Sequence, residues 1–526
     1  MLRGRRQLAT DTEVGRTWSR KSVPSGGDGK CEATELEQVD LRLRWLGNSD
    51  QWSAFGRKLF VLSLLVGLLL LPNFVIPRVG TQNPAIHSKE LMSRFLVAWM
   101  AGVFFLGCWR TRKRDLHFVE LGILGFVVAN LLSCVSSSHA VFCFGESWHL
   151  WGFALLAVAV ALVNINLKER QQIILVAVSA AVIAAAYGFC VYWGFDFLRT
   201  YYPFAYAKGD ARNYVHSFLG NPEYFGSYMA AVGILAFGHI LCPNSRWPVR
   251  AAWAILCLFF LLAIVLSGTR SAFLAFAVGA GLLLKRTIAQ LSLSHRRYAL
   301  FGLVGFIALA AIVVAVLSFP NPLNVRRMRL AQRFVQVFDL TSPSVRERIL
   351  FYTISGRLIR EYPVLGVGPG AFKLYFYPTV EKLVEEDPRA GFRRFAETLQ
   401  GRIAEHAHND YLEIWSETGS VGIGVFLFLI ASLFVRYVKG PKNFAVLAKG
   451  DIAGPSDLAW VRFQRDLFFA TLLAILMNGF FSFPLHLPVR AFLFWVSVGC
   501  FLAADYELRE RARSLDPCLA SSQTTI

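Results

Sequence analysis

Four short polar segments in this chain combine residue types suited to proton transfer and to holding phosphate. The densest is Glu405-His-Ala-His-Asn-Asp-Tyr-Leu-Glu-Ile-Trp-Ser-Glu-Thr-Gly-Ser-Val-Gly422. His406, His408 and Asp410 invite a metal. Yet histidines at i and i+2 of one extended stretch rarely complete a site, and the other polar segments hold no matching Cys, His or Asp cluster. A nucleophile elbow, GxSxG, is also missing. His408 as general base, oriented by Asn409 and nearby acids, is the economical use.

The other three segments carry arginines. Ser267-Gly-Thr-Arg270-Ser271 is a tight turn between two apolar stretches. An arginine there can snorkel to lipid, but Arg270 has no acidic neighbour in sequence, and its planar fork suits two phosphate oxygens at once. Arg212 precedes Gly220-Asn221-Pro222-Glu223, a turn signal followed by residues that suit a first helical turn. Ser344-Val-Arg-Glu347 has the form of a capping box. The helix it starts carries Arg346 and Arg348, a second phosphate contact or a solvated face, and stops before Pro363. Gly366-Val-Gly368-Pro-Gly370-Ala371 fits GxGxxG/A formally. No buried strand precedes it and Pro369 removes a donor, so a glycine-rich bend is expected rather than a dinucleotide site.

These segments must be held by a membrane bundle. The 526 residues are 55% hydrophobic and only 17% charged, well below the quarter or so usual in soluble proteins. Stretches long enough for a ~30 Å hydrocarbon core lie near 59–77, 93–109, 116–135, 149–166, 173–193, 223–242, 251–267, 272–284, 299–318, 419–436, 465–482 and 489–505. The expectation is an all-α polytopic membrane protein of about twelve spans with one long, partly helical loop. Its parts are a largely disordered tail 1–58, spans over 59–318, the loop 319–418, spans over 419–505 and a tail 506–526.

The 54 Lys and Arg exceed the 35 Asp and Glu by 19. Most of them fall before residue 59, in alternate short loops and after residue 505. By the positive-inside rule both tails are cytoplasmic and the four polar segments face the other side. The surplus is therefore mainly a topology signal, implying membrane lipid rather than nucleic acid as the partner. No cleavable signal peptide is expected, because 58 hydrophilic residues precede the first span. The nine cysteines lack CxxC spacing, and Cys134 and Cys143 are expected as unlinked thiols. Within the spans the only ionisable candidates are Glu120, Asp466 and His239, which argues for an enzyme with its site at one face over an ion-coupled transporter.

Together the four segments resemble the O-antigen ligase/polymerase family of membrane glycosyltransferases, over most of residues 200–440. The resemblance rests on His408-Asn409 followed nine residues later by Gly419 and Gly422, and on Arg270 with Leu274 in GTRSAFL. It rests also on Arg212 ahead of GNPEYF, where Glu223 stands in place of the family's usual Asn, and on YPVLGVGPGAF. It implies a GT-C-like architecture in the bacterial inner membrane, without cofactor or metal. The implied reaction moves a glycan from undecaprenyl diphosphate to a hydroxyl of lipid A–core at the periplasmic face.

His408, Arg270 and Arg212 would then be catalytic, with Arg346, Arg348, Asn409, His406, Asn221 and Tyr411 binding substrate. Trp415, Tyr411 and Tyr214 are candidates to stack on sugars. Polymerisation of lipid-linked glycan and protein O-glycosylation are alternatives within the family. A lipid-linked glycan transporter, or a non-catalytic scaffold, is the alternative from another class.

Overall fold

The computed structural model describes residues 54–76, 84–108, 117–198, 215–242, 245–290, 343–388, 391–392, 404–440 and 455–514, with scattered positions between 305 and 325. Among them there is no strand. The helices are α1 (54–70), α2 (Pro84–Val103, prolonged by a π-turn to Cys108), α3 (Phe118–Ser136), α4 (Ala140–Val163), α5 (Leu167–Tyr192), α6 (Pro222–Ile240), α7 (Trp247–Ser267), α8 (Arg270–Gln290), α9 (Pro343–Glu361), α10 (Phe372–Glu386), α11 (Asp410–Val438), α12 (Pro455–Gly479) and α13 (Pro488–Ser514). Eight described helices are long and apolar enough to cross a membrane: α2 with its π-turn, α3, α4, α5, α7, α8, α11 and α13. Helices also cover the expected stretches 59–77, 223–242 and 465–482 in large part, while 299–318 and the tail 1–53 lie mostly or wholly outside the described residues.

Local chemistry sets the helix ends. Asn166 and Glu169 form a capping box on α5, with each side chain accepting from the other's backbone N–H at 2.8–3.0 Å. Asn221 caps α6 ahead of Pro222, whose missing N–H costs nothing at the first helical position. Gly268, at φ 62°, ends α7 in the left-handed conformation open to glycine, and α8 begins at Arg270.

α6 packs against α7, α8 and α12, α12 against α13, α13 against α4, and α3 against α11. α13 is the central helix: 89% of its most apolar window is buried, against 33% for α2, α7, α8 and α11. The outer helices instead expose large apolar side chains such as Leu106, Val135, Val141 and Trp247, the surface expected against lipid rather than water.

The expectation of nearly charge-free spans needs correcting. α13 carries Arg490 near its start and Asp505 near its end, both buried. Asp505 accepts from Nε of Arg436, Arg465 and Arg509 at 2.7–2.8 Å. Nearby, the fully buried Arg170 pairs with Glu507 at 2.5 Å and donates to Gln464 Oε1 and to the Ile165 carbonyl. Glu120 accepts from Tyr506. These groups gather where the first turns of α3 and α5 and the N-terminal half of α12 meet the C-terminal ends of α11 and α13. His239 is a satisfied core histidine, bonded through Nδ1 to the Leu235 carbonyl at 2.8 Å and stacked on Trp253. Cys134 and Cys143 are buried free thiols.

Candidate active site

The histidine segment is built around a helix start. Asn409 accepts from the N–H groups of Tyr411 and Leu412 at 3.0 and 3.1 Å and donates to the Phe480 carbonyl at 3.2 Å. Ahead of it His408 has φ 55°, a left-handed conformation that a histidine adopts only when its surroundings impose it. Its ring lies flat on Phe351 of α9, with centroids 5.5 Å apart and 14° between planes, and meets the edge of Phe483 at 4.9 Å. Its Nδ1 is buried without a hydrogen-bond partner, 3.7 Å from Glu223 Oε2. The side chain is nonetheless 31% exposed, and of its two ring nitrogens only Nδ1 is both buried and unpartnered, which leaves Nε2 as the open one.

The nine residues after Asn409 form a straight segment that stops at Gly419, where φ 65° and ψ −169° break the helix. The glycine-rich bend repairs the break. Ser420 and Val421 donate to the carbonyls of Pro363 and Val364, while Val367 and Gly368 donate back to those of Ser416 and Glu417. A side chain at Gly419 would lie 2.2 Å from the Val364 carbonyl oxygen, and one at Gly366 2.3 Å from the Glu417 backbone. The two glycine motifs are thus halves of one joint, and the expected bend is a hydrogen-bonded brace for α11.

The arginine turn seats on α6. Thr269 donates to the Pro222 carbonyl at 3.0 Å, and Gly226 lies so close to Ser267 and Thr269 that a Cβ would clash with both. Ser271 accepts from Asn478 of α12 at 3.1 Å. Arg270, half-buried between them, stands at the same end of the bundle as Glu223 and His408. Arg348 of α9 donates to the Phe481 carbonyl at 3.3 Å, whereas Arg346, about 200° around the helix, is exposed.

Of the expected site residues, His408, Asn221, Asn409, Tyr411, His406 and Arg348 converge here, and Arg270 sits in the turn packed against them. Arg212 and Tyr214 lie outside the described residues. Asn221, Asn409 and Tyr411, whose hydroxyl donates to the Leu476 carbonyl at 2.9 Å, spend polar atoms on internal bonds. His406 bonds Glu413 at 2.5 Å and stacks on Phe483. These four brace the site.

Sequence reasoning missed the turn between α12 and α13. His486 there bonds Asp410 Oδ1 through Nδ1 at 2.7 Å, and its Nε2 lies 3.8 Å from Glu413 and 3.7 Å from Glu417. Burial pushes its pKa down, but the charge of Glu413 and the bonds to Asp410 and Glu417 outweigh this and raise it well above 6.5. The carboxylates sit at i, i+3 and i+7, one face of the straight segment. Arg490 follows one turn into α13. It donates to Ser227 Oγ, lies 4.9 Å over the Tyr224 ring and leaves Nη2 buried without a partner. The signal available was the pair of prolines, 484 and 488, which mark an ordered turn carrying a histidine and an arginine.

This turn also corrects the argument against a metal, which assumed no further ligand nearby. Glu413, Glu417 and His486 offer ligand atoms within 4.8 Å of one another. Each is already engaged: Glu413 by His406 and the Ala407 N–H, Glu417 by the Phe372 N–H, His486 by Asp410. The donor set reads as a charged histidine compensating buried carboxylates.

Residues 255–427 match the model of a family described as O-antigen ligase. Over this part, about a third of its length, the chain is similar to the O-antigen ligase family. The match runs from α7 past the glycine joint of α11, and so takes in the Arg270 turn, Arg348 and His408-Asn409. The likeness supports an O-antigen ligase or polymerase type of membrane enzyme. No curated protein matches the chain.

Proposed function

We propose that this chain transfers a glycan from undecaprenyl diphosphate to an acceptor hydroxyl at the periplasmic face of the inner membrane, without metal. The observation that carries the reading is His408, clamped by two rings with Nδ1 buried and Nε2 open, beside the Arg270 turn. In the reaction the acceptor hydroxyl gives its proton to His408 Nε2, and its oxygen bonds the anomeric carbon. The bond from that carbon to the diphosphate oxygen breaks. Arg270, with Arg212 and Arg348, stabilises the charge growing on the diphosphate.

Lipid A–core is the acceptor we favour, with a second lipid-linked glycan or a protein hydroxyl as the alternatives. A cavity of about 360 Å³ between α1, α2, α3 and α4 is lined by apolar side chains only. A transporter would call for ionisable groups along its path, so the cavity favours the enzyme reading. The test is reconstitution with a lipid-diphosphate glycan in EDTA. Product on lipid A–core supports a ligase, and longer lipid-linked chains support a polymerase. No transfer to any acceptor by intact protein, or transfer undiminished in His408→Ala, overturns the reading.

A further inference from the structure

Glu223 occupies a place in this site that the reaction above leaves unused. Asn221 and Pro222 fix it in the first turn of α6, where the helix N-terminus favours a negative charge. One carboxylate oxygen, Oε1, is buried and without a hydrogen-bond partner, while Oε2 lies 3.7 Å from the equally unpartnered Nδ1 of His408. The two groups face each other across a gap that a small shift closes to a hydrogen bond. Phe351 stacks on the imidazole and Phe483 meets it at right angles, so two aromatic rings pack it beside Glu223.

The surroundings favour a carboxylate there. Arg348 and Tyr352 face it from α9, Ser482 from the turn before α13, and Arg490 from α13 itself, one helical turn below on Ser227. Tyr224 lies beside it on α6, with Glu405 and Glu413 farther along the histidine segment. Where the family's pattern has Asn, this chain has an acid whose charge faces the ring nitrogen opposite the open one.

We propose that Glu223 is the positioning residue of His408, an inference resting on His408 being the base. By accepting from Nδ1–H, its carboxylate fixes the tautomer that leaves Nε2 free to take the acceptor proton. It then offsets the positive imidazolium that results. The proton remains on His408 until the product leaves, and Glu223 stays ionised throughout.

The experiment is a double-mutant cycle on the full-length protein in proteoliposomes, with Glu223→Gln, His408→Ala and both together. Glu223→Gln keeps an acceptor atom but removes the charge. The expected result is a kcat loss of about 100-fold, in the range of general-base contributions, with KM for both substrates unchanged. In the His408→Ala background the same change should cost nothing further, since Glu223 acts through the ring. A Glu223→Gln protein with wild-type kcat, or losses that multiply in the double variant, overturns the proposal while leaving His408 as base. Full activity in His408→Ala instead overturns the reading beneath it. Should Glu223→Gln fail to insert, Glu223→Asp replaces it in the same cycle. A smaller kcat loss that vanishes without His408 is then expected, and an unchanged or multiplying effect is again fatal.

Discussion

Replacing His486 by Gln tests whether the turn between α12 and α13 holds the histidine segment through charge. In the folded protein one imidazolium faces three carboxylates: Asp410 at 2.7 Å, Glu417 at 3.7 Å and Glu413 at 3.8 Å. Removing one partner of a buried pair costs about 3–5 kcal/mol. Each carboxylate near 4 Å adds attraction of about 4 kcal/mol at an effective dielectric of 20. Uptake of a proton by one carboxylate limits the damage, so a loss of roughly 4 kcal/mol is expected.

The pH dependence has a definite sign. A histidine whose pKa is raised on folding contributes stability in full below its ordinary 6.5, and that contribution fades as pH rises through the higher folded value. Thermal unfolding in detergent, followed from pH 6 to pH 10, should therefore show the wild type losing stability on the alkaline side. His486→Gln should be less stable at pH 7 and lack that alkaline decline. Equal midpoints for the two proteins at pH 7, or parallel curves up to pH 10, would refute the ion-pair account of this cluster.

The remaining predictions concern other parts of the same frame. Arg270→Ala should abolish glycan transfer while the protein still inserts, and Arg270→Lys should fail nearly as badly if both fork nitrogens bind oxygen; normal product from inserted Arg270→Ala contradicts this. Gly419→Ala places a methyl 2.2 Å from the Val364 carbonyl in a left-handed residue, so destabilisation well beyond 1 kcal/mol is expected, seen as a lower unfolding midpoint. Asp505→Ala strips the carboxylate from Arg436, Arg465 and Arg509 and should cost about 3 kcal/mol. Because that network lies at the far ends of α11 and α13, the KM of the surviving fraction should match wild type.

The contrast between what the chain announces and what it conceals has a physical cause. Long apolar stretches name the helices, since only length and hydropathy matter for crossing lipid. The start of α6 at Asn221-Pro222 is equally visible, because a helix start is marked by residues within two or three positions of it. Contacts between distant segments leave no such local mark. Gly366 and Gly419 read as two separate motifs in sequence, but each excludes a side chain only because the other's backbone lies against it. His486 carries no signal in its own neighbours that three carboxylates 69–76 residues earlier need its charge. The same holds for Glu223 and His408, 185 residues apart: the substitution of an acid for an amide in GNPEYF is legible, but its meaning depends on which nitrogen of which histidine it faces. The proposed function therefore rests on pairings across the bundle, and substitutions that test pairs in combination will say more than single truncations of the motifs.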